Sequence, residues 1–136
     1  MSYAVQADID NRYGGELLLT IADRDGDGVV DADAVALALS DADQLVDAHL
    51  VERYQLPLAT VPDLLVAIAV DVAVYKLASL PTEEQRKRYD DALKLLKSIA
   101  TGVLQLGLPT PPATTGQQAV FVGPERMFGR NKARTW

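Results

Sequence analysis

The 136-residue chain has no cysteine, one histidine (His49), two phenylalanines (Phe121 and Phe128) and one tryptophan (Trp136). Without cysteine there is no disulfide scaffold, no thiolate zinc site and no cysteine nucleophile. A single histidine leaves few routes to acid–base or triad chemistry. Long apolar runs are missing too. The most apolar window, Val61 to Ala78, is interrupted by Asp63, Asp71 and Lys76, and it falls short of the roughly 20 residues that a bilayer demands. The first ten residues carry two acids and no base, which is not the pattern of a secretory signal. No glycine-rich phosphate loop and no nucleophile elbow occurs. The expectation is a protein that is not an enzyme.

What remains is the composition of one globular domain, 49% hydrophobic and 24% charged. A chain of this length buries roughly two thirds of its unfolded surface in a single core. Its net charge of −6 argues against a nucleic-acid-binding surface spread over the whole domain. The charge is also unevenly placed. Residues 1–50 hold eleven acids and two bases, residues 51–122 hold seven of each, and residues 123–136 hold Glu125 against Arg126, Arg130, Lys132 and Arg134. An acidic front is thus joined through a neutral middle to a basic tail, the signature of solvated faces and interaction arms.

The periodicity predicts an all-α bundle of four to five helices. Ala7–Arg12 is a short amphipathic stretch ended by Gly14-Gly15, and Glu16–Ala22 is a second short helix. Val35, Leu39, Ala42, Val46, Leu50 and Tyr54 mark a long helix that begins at Asp31 or Asp33 and runs to about Gln55, where Pro57 stops it. Pro62 opens a helix whose residues Leu64–Ala78 are apolar on nearly all sides, so it should lie at the centre. Thr82 and Gln85 have the spacing of a capping box for a last helix, with Tyr89, Leu93, Leu96 and Ala100 as its buried stripe and Gly102 as its stop. Glu84–Arg88 and Asp90–Lys94 are (i, i+4) pairs on its wet side. Residues 1–106 form the helical domain, 107–118 a Pro/Thr/Gly linker and 119–136 an extended aromatic-basic arm.

Three places carry polar residues that could do chemistry. In the loop from Asp23 to Ala34, Asp23, Asp25, Asp27 and Asp31 occupy positions 1, 3, 5 and 9 of an EF-hand-like calcium loop, with Gly28 at the sharp turn. Position 12 is Ala34 where a bidentate glutamate belongs, so the same residues also fit a turn in which Asp side chains bond nearby amides. Ca2+ is the one metal this pattern suits; otherwise no cofactor is expected. His49 sits at the edge of an apolar stripe, which suits a packed, hydrogen-bonded imidazole. Asp71 lies mid-helix among apolar neighbours and needs a partner, with Arg53, His49 or backbone amides as candidates.

The arm concentrates Phe121, Met127, Phe128 and Trp136 beside four cations. Disordered tails are usually poor in large apolar residues. Aromatic and arginine side chains are the anchors that fill pockets on protein partners, and a protein groove is favoured over RNA or single-stranded DNA.

Four segments in order, TIADRDGDGVVDADAVALALSDA, ERYQLPLATVPDLLVAIAVDVAVYKLA, RYDDALKLLKSIATGVLQLG and, more loosely, FVGPERMFGRNKARTW, resemble a family of small virion proteins of Mu-like phages and prophages, the head–tail connector (adaptor, or head-completion) proteins. The resemblance runs from about Val5 to Leu108. It implies a virion component at the head–tail interface, a homo-oligomeric ring, usually a dodecamer, between the portal protein and the tail or stopper proteins. It also implies a C-terminal segment that docks on the portal or a neighbouring subunit, with Phe121, Arg126, Phe128, Arg130 and Trp136 as anchors. DNA would pass through such a ring without sequence-specific binding, and Asp41, Asp43 and Asp47 facing the channel would repel it. The alternative from the residues alone is a small Ca2+-binding helical module.

Overall fold

A computed structural model describes residues 1–108 and shows an all-α bundle of five helices, with no strand among the described residues. They are α1 (Gln6–Tyr13), α2 (Gly15–Ala22), α3 (Ala32–Leu50), α4 (Asp63–Leu77) and α5 (Glu83–Thr101). The arm, and the linker beyond Leu108, lie outside the described residues. Among the described residues no helix is long and apolar enough to cross a membrane.

Helix α4 is the centre. Leu65, Ile68, Ala69, Val70, Val72, Ala73, Val74 and Leu77 are all buried, so its apolar residues are covered on several sides by α3, α5 and the α1–α2 pair. Each fully buried branched side chain there contributes about 1.5–3 kcal/mol. Helices α4 and α5 form a tight antiparallel hairpin, and Tyr75 stacks on Tyr89 across it with ring centroids 4.0 Å apart.

The start of α5 follows the sequence pattern. Thr82 Oγ1 accepts the Gln85 amide at 3.1 Å, and Gln85 Oε1 accepts the Thr82 amide at 3.0 Å. Gly102 ends the helix in the left-handed region at φ 85°. A side chain there is excluded twice over, because a Cβ would sit 2.5 Å from the guanidinium carbon of Arg53. That contact places the C-terminal ends of α3 and α5 together.

Three expectations are corrected in detail. Helix α3 stops at Leu50 rather than near Gln55, because the Arg53 and Tyr54 amides both turn back to the Leu50 carbonyl. Tyr54 is still buried, and its hydroxyl accepts the Leu106 amide at 3.1 Å. The stripe of α5 is Gln85, Ala92, Leu96 and Ile99, with Tyr89, Leu93 and Ala100 on its flanks. Asp31 stands at the N-cap of α3, yet its side chain makes no capping bond. Of the two charge pairs on α5, Glu84–Arg88 closes at 2.8 Å and Asp90–Lys94 is not among the ion pairs of the described residues.

Past Gly102 the chain folds back over the same end of the bundle. Leu104, Leu106 and Leu108 pack against the core, beside a shallow groove lined by Leu56, Pro57, Leu58 and Leu108.

Candidate functional site

The loop between α2 and α3 gathers carboxylates. Oxygens of Asp23, Asp25 and Asp27 all lie within 4.8 Å of one another. Asp31 is not part of that group; its backbone amide instead donates to the Ala22 carbonyl at 2.9 Å and closes the loop. Asp23 organises the turn. Its Oδ1 accepts the amides of Gly26 at 2.8 Å and Asp27 at 3.1 Å, and its Oδ2 accepts that of Gly28 at 2.9 Å. Asp27 in turn accepts the Val29 amide at 2.9 Å. Gly26 and Gly28 hold φ of 74° and 80°, which the tight reversal requires.

These bonds divide the three acids. The Gly28 amide, with help from other donors, holds the Asp23 carboxyl below the usual range. At Asp25 the Asp27 amide pulls the same way, but the Asp23 carboxyl and the Asp27 charge leave its pKa raised. Chemically the loop offers convergent oxygen ligands for a divalent cation, on a turn that its own amides also hold together.

Asp71 finds its partner on a different helix from the ones expected. The Tyr13 hydroxyl at the end of α1 donates to Asp71 Oδ1 at 2.6 Å. Arg88 of α5 lies over the Tyr13 ring, 5.1 Å from its centroid, and also reaches Glu84. Burial pushes the Asp71 pKa up, and the Tyr13 bond and the Arg88 charge only partly offset it. Burial, followed by the Asp71 bond and charge, pushes the Tyr13 hydroxyl up to about 12. Arg53 instead packs on Gly102, with its Nε buried and without a hydrogen-bond partner among the described residues. His49 Nδ1 donates to the Leu45 carbonyl at 2.8 Å, the packed role that its position suggested.

A second tyrosine joint fastens the start of the chain. Tyr3 donates its hydroxyl to Asp47 and its amide to Asp43, the latter at 2.9 Å, and the Met1 amine lies 3.2 Å from Asp47. Burial, more than the neighbouring carboxylates, raises the Tyr3 pKa, and burial likewise raises that of Asp43. Asp43 and Asp47 therefore have partners within the subunit. Sequence reasoning missed Tyr3 and Tyr13, whose partners lie 44 and 58 residues away.

The surface also shows apolar side chains left in water at opposite ends of the bundle. At the end that gathers the C-termini of α3 and α5, Val51 is 61% and Val103 is 83% exposed. At the other end Leu80, in the α4–α5 turn, is 91% exposed. It borders a notch lined by Ile21, Asp23, Arg24, Ala78 and Ser79. A large aliphatic residue between Ser79 and Pro81 in a turn was the available sequence signal. The anchors expected in the arm, Phe121, Arg126, Phe128, Arg130 and Trp136, lie outside the described residues.

The bacteriophage Mu Gp36 family model matches residues 3–122. The chain is 32% identical over 135 residues to the Mu-like prophage FluMu protein gp36 of Haemophilus influenzae, covering 97% of this chain and 96% of that protein. Against gene product J of Escherichia phage Mu it is 32% identical over 117 residues, covering 85% and 83% respectively.

Proposed function

Since the chain belongs to the bacteriophage Mu Gp36 family over most of its length, we propose that it is a structural head–tail connector of the virion. In this reading copies form a ring, a dodecamer by the resemblance, between the portal protein and the tail or stopper proteins. The C-terminal arm docks on the portal or on a neighbouring subunit, and DNA passes through the ring without sequence-specific contact. No catalytic step is assigned to it. The observation that carries the reading is the exposure of Val51 and Val103 at one end of the bundle and of Leu80 at the other. Isolated exposed leucines and valines are ordinary. Their placement at opposed ends, beside a groove at each, suits a subunit stacked between two partners. The groups with displaced pKa values outside the loop fit the same picture, since Tyr3, Tyr13, Asp43 and Asp71 fasten one segment of the bundle to another.

The test is incorporation into a portal complex. Deleting residues 117–136 should leave the helical circular-dichroism signal intact and abolish incorporation. Val103→Asp and Leu80→Asp should each separate the ring from one partner only. Full incorporation of the truncated chain would refute the arm's role, and wild-type levels for both substitutions would refute the two-ended reading.

A second reading rests on the convergence of Asp23, Asp25 and Asp27, namely a loop that takes up Ca2+. Calorimetric titration decides it. Micromolar binding with a rise in melting temperature supports this reading, and no heat at millimolar Ca2+ retires it.

A further inference from the structure

We propose that the notch beside Leu80 receives the Arg126–Arg130 stretch of the arm of a second copy, so that the ring is held by head-to-tail exchange of C-terminal segments. This deepens the connector reading and rests on it. The notch has an apolar side, made by Ile21, Ala78 and Leu80, and the Asp23 carboxylate also lines it. Asp25 and Asp27 extend that negative edge, and Arg24 is the one base in the loop. Residues 1–50 hold eleven acids against two bases, while residues 123–136 hold four bases against one acid. The two ends of the sequence are therefore complementary in charge.

The spacing of the arm fits the notch as well. Arg126, Phe128 and Arg130 alternate, and on an extended chain alternate residues share one face, about 7 Å apart. Such a face presents an aromatic ring between two guanidinium groups. The ring suits the apolar side around Leu80, and one guanidinium reaches the carboxylate edge.

Placement favours a second copy over the same chain. The arm departs after Leu108, which packs beside Leu56, Pro57 and Leu58 at one end of the bundle. The notch opens at the other end, beyond a fifteen-residue α4, a separation of about 22 Å along that helix. A donor segment at one end and an acceptor at the other make a heterologous contact, the kind that propagates from copy to copy and closes into a ring. The ten residues 109–118 span up to about 33 Å, enough to cross to an adjacent subunit.

The experiment uses the full chain carrying the photo-crosslinking residue p-benzoylphenylalanine at position 128. Unlabelled and 15N-labelled copies are mixed, assembled with the portal protein, irradiated and mapped by mass spectrometry. The expected products are mixed-label crosslinks from position 128 to residues 20–24 or 78–80. Leu80→Asp should lower their yield about tenfold and Asp25→Lys about threefold. Both side chains are exposed, and unchanged circular dichroism confirms that each variant folds. Rings that form with crosslinks only within one chain, or only to the portal, overturn the exchange while leaving the connector reading intact. Absence of rings on the portal with the unmodified chain overturns both.

Discussion

Helix α4 and the segment Met1–Tyr13 touch the same core but are held by different physics. Eight of the fifteen residues of α4 are buried apolar side chains, whereas α1 buries Ile9 alone. The N-terminal segment is fastened instead at its two ends, by Tyr3 on Asp47 of α3 and by Tyr13 on Asp71 of α4. Apolar burial is indifferent to pH and salt at this level, while phenol–carboxylate bonds answer to both. The difference implies that α3, α4 and α5 define the fold, and that the N-terminal segment opens first, as a separate unit of lower stability.

The sharpest way to break this contrast is Leu65→Ala, which removes a fully buried side chain from α4. It should cost about 2–4 kcal/mol, read as a fall in the denaturation midpoint of the whole domain. Tyr13→Phe should cost about 1 kcal/mol. Hydrogen exchange should show the loss confined to residues 1–13, with α4 and α5 amides unchanged. If Tyr13→Phe lowered protection across the bundle, the joint would be part of the core and the contrast would fail.

Asp71→Asn sharpens the contrast through pH. Because burial raises the folded pKa of Asp71 above its ordinary 3.8, the folded state binds the proton more readily than the unfolded one. The stability from this group is therefore fully present below that ordinary value and is lost as pH rises through the folded pKa. The asparagine keeps an oxygen for the Tyr13 hydroxyl and carries no charge to desolvate. It should stabilise the protein slightly at pH 7, by less than about 1 kcal/mol because the site is half-open to water, and the gain should vanish at about pH 3.5. The smallest effect belongs to Glu84→Ala, which removes an exposed pair on α5 and should change stability by about 0.3 kcal/mol or less.

The elements dominated by one local rule were legible in the sequence. Pro62 and the all-round apolar composition marked α4 as central, and Thr82 and Gln85 marked the start of α5 through bonds that close within four residues. What escaped was set by tertiary contact. The stripe of α5 turns on Ala92 rather than Leu93 because a small residue lets α5 approach α4, and a pattern that scores only large side chains picks the neighbouring phase. Helix α3 ends early because Tyr54 is held by Leu106, a bond between residues 52 positions apart. Asp71 announced its need for a partner, but the partner came from α1 rather than from the helix that precedes it. The turn from Asp23 to Gly28 was readable from its Asp and Gly spacing, since every bond in it is local.

The account's central claim is that this bundle is a spacer with a partner at each end. Electron microscopy of the intact virion, with the chain identified by an antibody or a fused tag, tests it most directly. The prediction is a ring of copies at the head–tail junction, with the Val103 end and the Leu80 end each against a different neighbouring protein. Absence of the chain from the virion, or a position in which both ends face solvent, would contradict it.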